Sequence, residues 1–145
     1  SQDINPFTLS DHQGDPVLLL FFPGAFTSVC TNEMNAVNND LASFGTNDGA
    51  TVVGISTDSP FVLDEYRKVN NLQFDLLSDH NAEVAASYGA KYNNDFTPME
   101  LDRIAKRSAF VVVETGVIQF AEVLDNAGKQ PNFKAIQHTI SRLMK

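Results

Sequence analysis

Residues 21–34 read Phe21-Phe22-Pro23-Gly24-Ala25-Phe26-Thr27-Ser28-Val29-Cys30-Thr31-Asn32-Glu33-Met34, and they hold the one cysteine among 145 residues. The apolar run Pro16 to Phe22 leads into this stretch and predicts a buried strand. Pro23-Gly24 breaks the run. A helical pattern then opens near Thr27. Cys30 is followed by Met34, Val37, Leu41 and Phe44, spaced +4, +7, +11 and +14, which is one face of a helix. The spacing predicts a helix over 28–44, launched from the end of a strand, with Cys30 in its first turn.

That address changes the chemistry of a thiol. The first-turn N–H groups of a helix have no intrahelical partner, and with the macrodipole they favour a negative sulfur. A thiol near a helix N-terminus, or near a cation, can titrate at roughly 3.5–7.5 instead of about 8.5. Thr27 lies three residues before Cys30, so its hydroxyl can sit beside the sulfur and donate to a thiolate or to a bound oxygen. Pro23 ends the strand and has no N–H, so it can shield the sulfur without competing for it. A lone cysteine is more often a small buried apolar residue. The surrounding Pro23, Thr27 and Glu33 reverse those odds.

Pro-x-x-x-Thr-x-x-Cys, matched here by Pro23, Thr27 and Cys30, is the active-site signature of the peroxiredoxins, which this chain resembles over nearly its whole length. The wider string FFPGAFT, with Glu33 three residues after the cysteine, resembles the alkyl hydroperoxide reductase E and bacterioferritin-comigratory-protein branches, the first more closely. The resemblance implies a thioredoxin-like fold and reduction of peroxides through a cysteine sulfenic acid.

Composition sets the outer bounds. A chain of 145 residues is one domain's worth. Ten Lys plus Arg against eighteen Asp plus Glu give a net charge of −8, which argues against a nucleic-acid partner, because phosphate binding needs clustered cations. A saline habitat and ordinary cytosolic acidity both fit that charge. No apolar run approaches the ~18 residues of a membrane span, and no signal peptide is visible, so a cytoplasmic location is expected. The absence of an initiator methionine points to processing or trimming. His12, His80 and His138 show no ligand spacing with Cys30, so neither a metal nor another cofactor is expected.

Strands are predicted over 16–22, 50–56, 74–77, 107–114 and 117–124, and helices over 28–44, 61–70, 82–88 and 132–144. Thr57-Asp58-Ser59-Pro60 is a helix-start signal, and Ser78 or Asp79 can cap the following helix. Phe61, Leu63 and Tyr66 are the expected apolar contacts of the second helix, and Phe133, Ile136, Ile140 and Leu143 or Met144 those of the last. Residues 90–105 read as a polar loop, and Asp11 to Asp15 as a turn. The order describes an α/β sandwich with a mixed central sheet flanked by helices, which fits the implied fold. Peroxiredoxins usually carry an Ala-Pro-Asp-Phe segment upstream that forms an N-terminal hairpin. Pro6-Phe7-Thr8-Leu9-Ser10 instead aligns with the segment just before the first core strand, so a shortened N-terminus is expected.

Peroxide reduction needs a nucleophile and donors for the oxygens. Cys30 as thiolate is the nucleophile. Thr27 and the backbone N–H groups of Val29 and Cys30 are the fixed donors. The resemblance places the catalytic arginine at Arg107; without it, Lys106-Arg107 would read as a solvent-facing pair at a strand entrance. Glu33, one turn after Cys30, either pairs with Arg107 and orients it or sits as a favourable charge at an exposed helix start. His80 could be weighed as a base for Cys30, but a solvated turn histidine fits its place better. Phe22, Phe26 and Phe110 could line a pocket or a subunit interface, with core packing the more ordinary use.

A sulfenic acid condenses with a thiol or over-oxidises. The second cysteine that bacterioferritin-comigratory proteins often carry five residues on is Asn35 here. A one-cysteine cycle is therefore expected, with an external thiol, a redoxin or a small thiol, as reductant. The resemblance also implies hydrogen peroxide, organic hydroperoxides and peroxynitrite as substrate class, and a homodimer formed through the active-site rim. Two other functions compete: a cysteine-dependent acyl hydrolase, which would need a histidine base near Cys30, and a non-catalytic thioredoxin-like module with a structural cysteine.

Overall fold

The computed structural model describes residues 5–12, 14–113 and 115–144. The chain builds one five-stranded sheet in the order β3-β2-β1-β4-β5. β1 (Val17–Phe21) lies at its centre with all five residues buried. It pairs parallel with β2 (Thr51–Ser56) and antiparallel with β4 (Ser108–Val112). β3 (Asp75–Ser78) adds to β2 in parallel, and β5 (Ile118–Val123) to β4 in antiparallel. The continuous apolar run of β1 follows from burial on both faces. Leu18 and Leu20 enter one core cluster, Val17, Leu19 and Phe21 the other, as the period of two requires.

Among the described residues four α-helices flank the sheet. Met34 and Val37 of α1 (Ser28–Asn38), Leu63 and Tyr66 of α2 (Pro60–Val69), and Ile136 and Ile140 of α4 (Phe133–Leu143) fill the first cluster. Ala85 of the short α3 (Glu83–Ser87) packs in the second, with Phe7 and Leu9 against it. Ser59 and Asn132 cap α2 and α4 by accepting the N–H groups of Val62 and Ala135. The Asp79 carboxylate takes the N–H groups of Val84 and Ala85 and so caps α3.

Several expectations need correction. The first helix does not run to Phe44. It ends at Asn38, where Asn38-Asn39-Asp40 are poor helix formers, and a 3₁₀ turn over Leu41–Phe44 still delivers Phe44 to the core. Arg107 stands just before β4 rather than inside it. Phe61 is 67% exposed, while Leu63 and Tyr66 are buried as expected. The loop 90–105 carries two isolated bridges, Lys91 with Ala105 and Phe96 with Leu101. Glu114, Gln13 within the expected turn, and residues 1–4, on which the shortened N-terminus bears, lie outside the described residues. No helix among the described residues is long and apolar enough to cross a membrane.

The register decides what meets at one end of the sheet. Phe21 of β1 faces Ile55 of β2 and Ser108 of β4. The loop after β1, the turn after β2 and the residue before β4 therefore arrive together. Ser108 also faces Val123, and Leu124 N–H donates to the Arg107 carbonyl at 2.9 Å. The loop that follows β5 reaches the same place.

Candidate active site

Cys30 is the third residue of α1 and only 1% exposed. Thr27 is the N-cap position, extended at φ −99° and ψ 151°, and its carbonyl accepts the Thr31 N–H at 2.9 Å. Its hydroxyl does not cap the helix. It donates to the Gly24 carbonyl at 2.8 Å, so its proton is engaged and its lone pairs remain as acceptors. The expected donation from Thr27 towards sulfur is thus not the bond present. Pro23 is buried, and Val29, half-buried, receives a 3.4 Å bond from Gln130 Nε2 on its carbonyl.

Arg107 completes the site from across the sheet. One terminal nitrogen donates to Cys30 Sγ at 3.3 Å, and the other to Glu33 Oε1 at 2.5 Å. Nε and the sulfur-facing nitrogen both donate to the Ala127 carbonyl, at 3.3 and 3.0 Å. The guanidinium is 1% exposed and Glu33 0%, so neither the solvent-facing arginine nor the exposed helix-start glutamate describes this molecule. The Lys-Arg pair splits instead. Lys106 turns outward to Asp125 at 3.0 Å, and Arg107 turns inward. A planar fork can serve three partners at once where a lysine could not.

One cation here faces a carboxylate and a sulfur, both out of water. Burial pushes the Glu33 carboxyl up from 4.5 to about 7, against the pull of the Arg107 charge and hydrogen bond. Among the described residues Glu33 Oε2 has no hydrogen-bond partner, which fits a group that holds its proton readily. Between 4.5 and about 7 the unfolded chain sheds this proton while the folded chain keeps it. Stability is then fully present below the lower value, falls as pH rises through the window, and levels off above it. Glu33→Gln removes the titration, so its urea midpoint should lack most of that slope. A slope equal to the parent's would assign the effect to other groups.

Several residues at this end carried no functional signal in the sequence. Asp58 Oδ2 accepts the Ala25 N–H at 2.7 Å, although its string reads only as a helix start. Tyr66 donates its hydroxyl to Thr31 Oγ1 at 3.0 Å, and burial pushes its phenol up, so it stays a donor. Ala127 acts through a main-chain carbonyl, which no side-chain pattern announces. Phe22 and Phe110 are core residues. Phe26 is 56% exposed, sits at φ 64°, and sets its ring edge-on to Tyr66 at 5.0 Å. His80 is exposed, with Nδ1 3.1 Å from the Thr57 carbonyl, as a turn histidine should be. Among the described residues no cluster of His, Cys, Asp or Glu could hold a metal.

A buried cysteine at a helix start, bridged by arginine to a buried glutamate, thus stands at one end of a mixed five-stranded sheet. The chain belongs to the AhpC/TSA family, whose sequence model matches residues 1–121. It is 37% identical over 120 residues to the Mycobacterium tuberculosis protein Rv2521, which carries a peroxiredoxin name, covering 83% of this chain and 75% of that one. It is 32% identical over 118 residues to peroxiredoxin Bcp of Escherichia coli strain K12, covering 81% and 74%. Its fold superposes on the crystal structure of peroxidoxin BcpB from Mycobacterium tuberculosis with a TM-score of 0.81 at 28% identity, over 97% of this chain and 88% of that one. The chain is accordingly a thiol-dependent peroxidase with a thioredoxin-like fold. These relationships favour neither the acyl hydrolase nor the non-catalytic module.

Proposed function

We propose that Cys30 is the peroxide-reducing thiol and that Arg107, Thr27, Pro23 and the Val29 and Cys30 N–H groups are its machinery. The observation that carries this reading is the guanidinium shared between Cys30 Sγ and Glu33. The thiolate attacks the nearer peroxide oxygen, the O–O bond breaks, and the electron pair leaves on the far oxygen as hydroxide or alkoxide. Arg107, already beside the sulfur, stabilises both the thiolate and that developing charge without reorganising. Thr27 Oγ1, with its proton on the Gly24 carbonyl, accepts the peroxide O–H and so orients the nearer oxygen. Pro23 keeps water from the sulfur, and Glu33 holds the guanidinium beside it.

The substrates in this reading are hydrogen peroxide and organic hydroperoxides, with peroxynitrite in the same class. These 145 residues offer no second cysteine, so the sulfenic acid on Cys30 is returned to thiol by an external redoxin or small thiol. The whole stretch 1–145 acts as one thioredoxin-like domain of a cytoplasmic antioxidant enzyme, supported by a single sheet with a core on each face. The exposed Phe26 ring at the rim of the site supports a homodimer there.

The test is rapid-mixing oxidation of the reduced protein by hydrogen peroxide across pH, with dimedone trapping and mass spectrometry. A dimedone adduct on Cys30, formed far faster than on a free thiol at the same pH, is expected. Oxidation no faster than the free thiol would overturn the assignment.

A further inference from the structure

Thr27 has to be held relative to Cys30, and the loop that carries it, residues 23–27, contains a conformation that needs holding. Phe26 is a bulky residue at φ 64°, in the left-handed region that non-glycine residues avoid. Such a conformation persists only where its surroundings over-determine it. Phe26 is itself 56% exposed, so its own burial supplies little of that constraint.

The constraint comes from the turn after β2. Asp58 Oδ2 accepts the Ala25 N–H at 2.7 Å, the residue before Phe26. The same oxygen takes the Ser56 hydroxyl at 2.7 Å, and the Asp58 N–H returns to Ser56 Oγ at 3.2 Å. The Ser78 hydroxyl fixes the Asp58 carbonyl at 2.6 Å. Ser56 is fully buried at the end of β2, so the carboxylate is anchored to the sheet itself. Asp58 is not used by the helix it precedes, because Ser59 caps α2.

We propose that Asp58 is a positioning residue for the peroxide step: its carboxylate ties the Ala25 N–H to the end of β2 and so sets Thr27 relative to Cys30. The proposal rests on the reading of Thr27 given above. A misplacement of about 1 Å in such a group can slow a reaction on the order of 10²-fold.

The experiment compares two reactions of one thiol, oxidation by hydrogen peroxide and alkylation by iodoacetamide, at one pH. Both need the thiolate, but only the first needs the loop to orient oxygen atoms. Their ratio therefore cancels any change in thiolate fraction. Asp58→Ala should lower the ratio about tenfold or more. Asp58→Asn keeps an acceptor for Ala25 and should stay within about threefold of the parent. Thr27→Val should lower the ratio as Asp58→Ala does. If Thr27→Val lowers it and Asp58→Ala does not, the inference is overturned and the Thr27 reading stands. If Thr27→Val leaves it unchanged, both fall. Should Asp58→Ala fail to fold, Ser56→Ala, which removes one anchor of the carboxylate, decides: a lowered ratio supports the inference and an unchanged one overturns it.

Discussion

Cys30→Ser is expected to remove all catalytic peroxide reduction and leave the fold nearly intact. A serine hydroxyl remains protonated at neutral pH without a base beside it, and among the described residues the side chain hydrogen-bonded to this position is Arg107, which cannot act as a base. A serine oxygen that did attack would only become a hydroperoxide itself, so the O–O bond would be exchanged and no peroxide would be reduced. The fold should tolerate the change because the hydroxyl can accept, in place of Sγ, the hydrogen bond that the Arg107 terminal nitrogen donates to Sγ at 3.3 Å. The cost is that of placing a small polar atom in the core beside Met34 and Val37, about 1 kcal/mol when the hydrogen bond is kept. Peroxide consumption and urea unfolding, measured on the same sample, check both halves. Consumption that persists must be examined for stoichiometry. Met99, 71% exposed, can take one oxygen and stop, whereas turnover beyond that would contradict the assignment of Cys30.

How much of this site could be read beforehand depended on how local each feature is. Pro23, Thr27 and Cys30 lie within eight residues of one another, and the strand, break and helix periodicity fixed their relation. The sheet partners of β1 were legible as apolar runs, and burial on both faces explains why they read so plainly. Glu33 was ambiguous because its burial is decided by Arg107, 74 positions away. Arg107 itself could be placed only through family resemblance. What brings it in is the antiparallel register of Phe21 with Ser108, and no local pattern encodes a register. The Ala127 carbonyl carries no side-chain signature at all. Asp58 was read by its nearest possible use, a helix start, while its actual partner lies 33 residues back. The premature end of α1 has the opposite lesson. The apolar spacing through Phe44 was real, but a 3₁₀ turn satisfies it as well as a continuous helix does.

Arg107→Ala should damage both rate and stability, and that double loss distinguishes it from Cys30→Ser. The rate falls because the one cationic donor on the sulfur goes, and with it the charge poised for the leaving oxygen. Removing a single preorganised donor of this kind costs about 10²–10³ in rate. Stability falls for separate reasons. The guanidinium fills a core position at 1% exposure, and its loss opens a cavity and strips the Ala127 carbonyl of both bonds it accepts. Breaking a buried pair by deleting one partner commonly costs 3–5 kcal/mol, roughly, because a charge is left behind. Here the loss should sit near the lower end. Glu33, already held at about 7 by burial, can keep its proton once the opposing cation is gone. Arg107→Lys should separate the two effects. An ammonium restores a charge but cannot reach Cys30, Glu33 and Ala127 together, so it should recover part of the stability and little of the rate. Second-order oxidation rates and urea midpoints for the two variants settle the matter. An Arg107→Ala rate within about threefold of the parent, where about 10² is expected, would take the guanidinium out of the reaction and leave it only as the buried partner of Glu33.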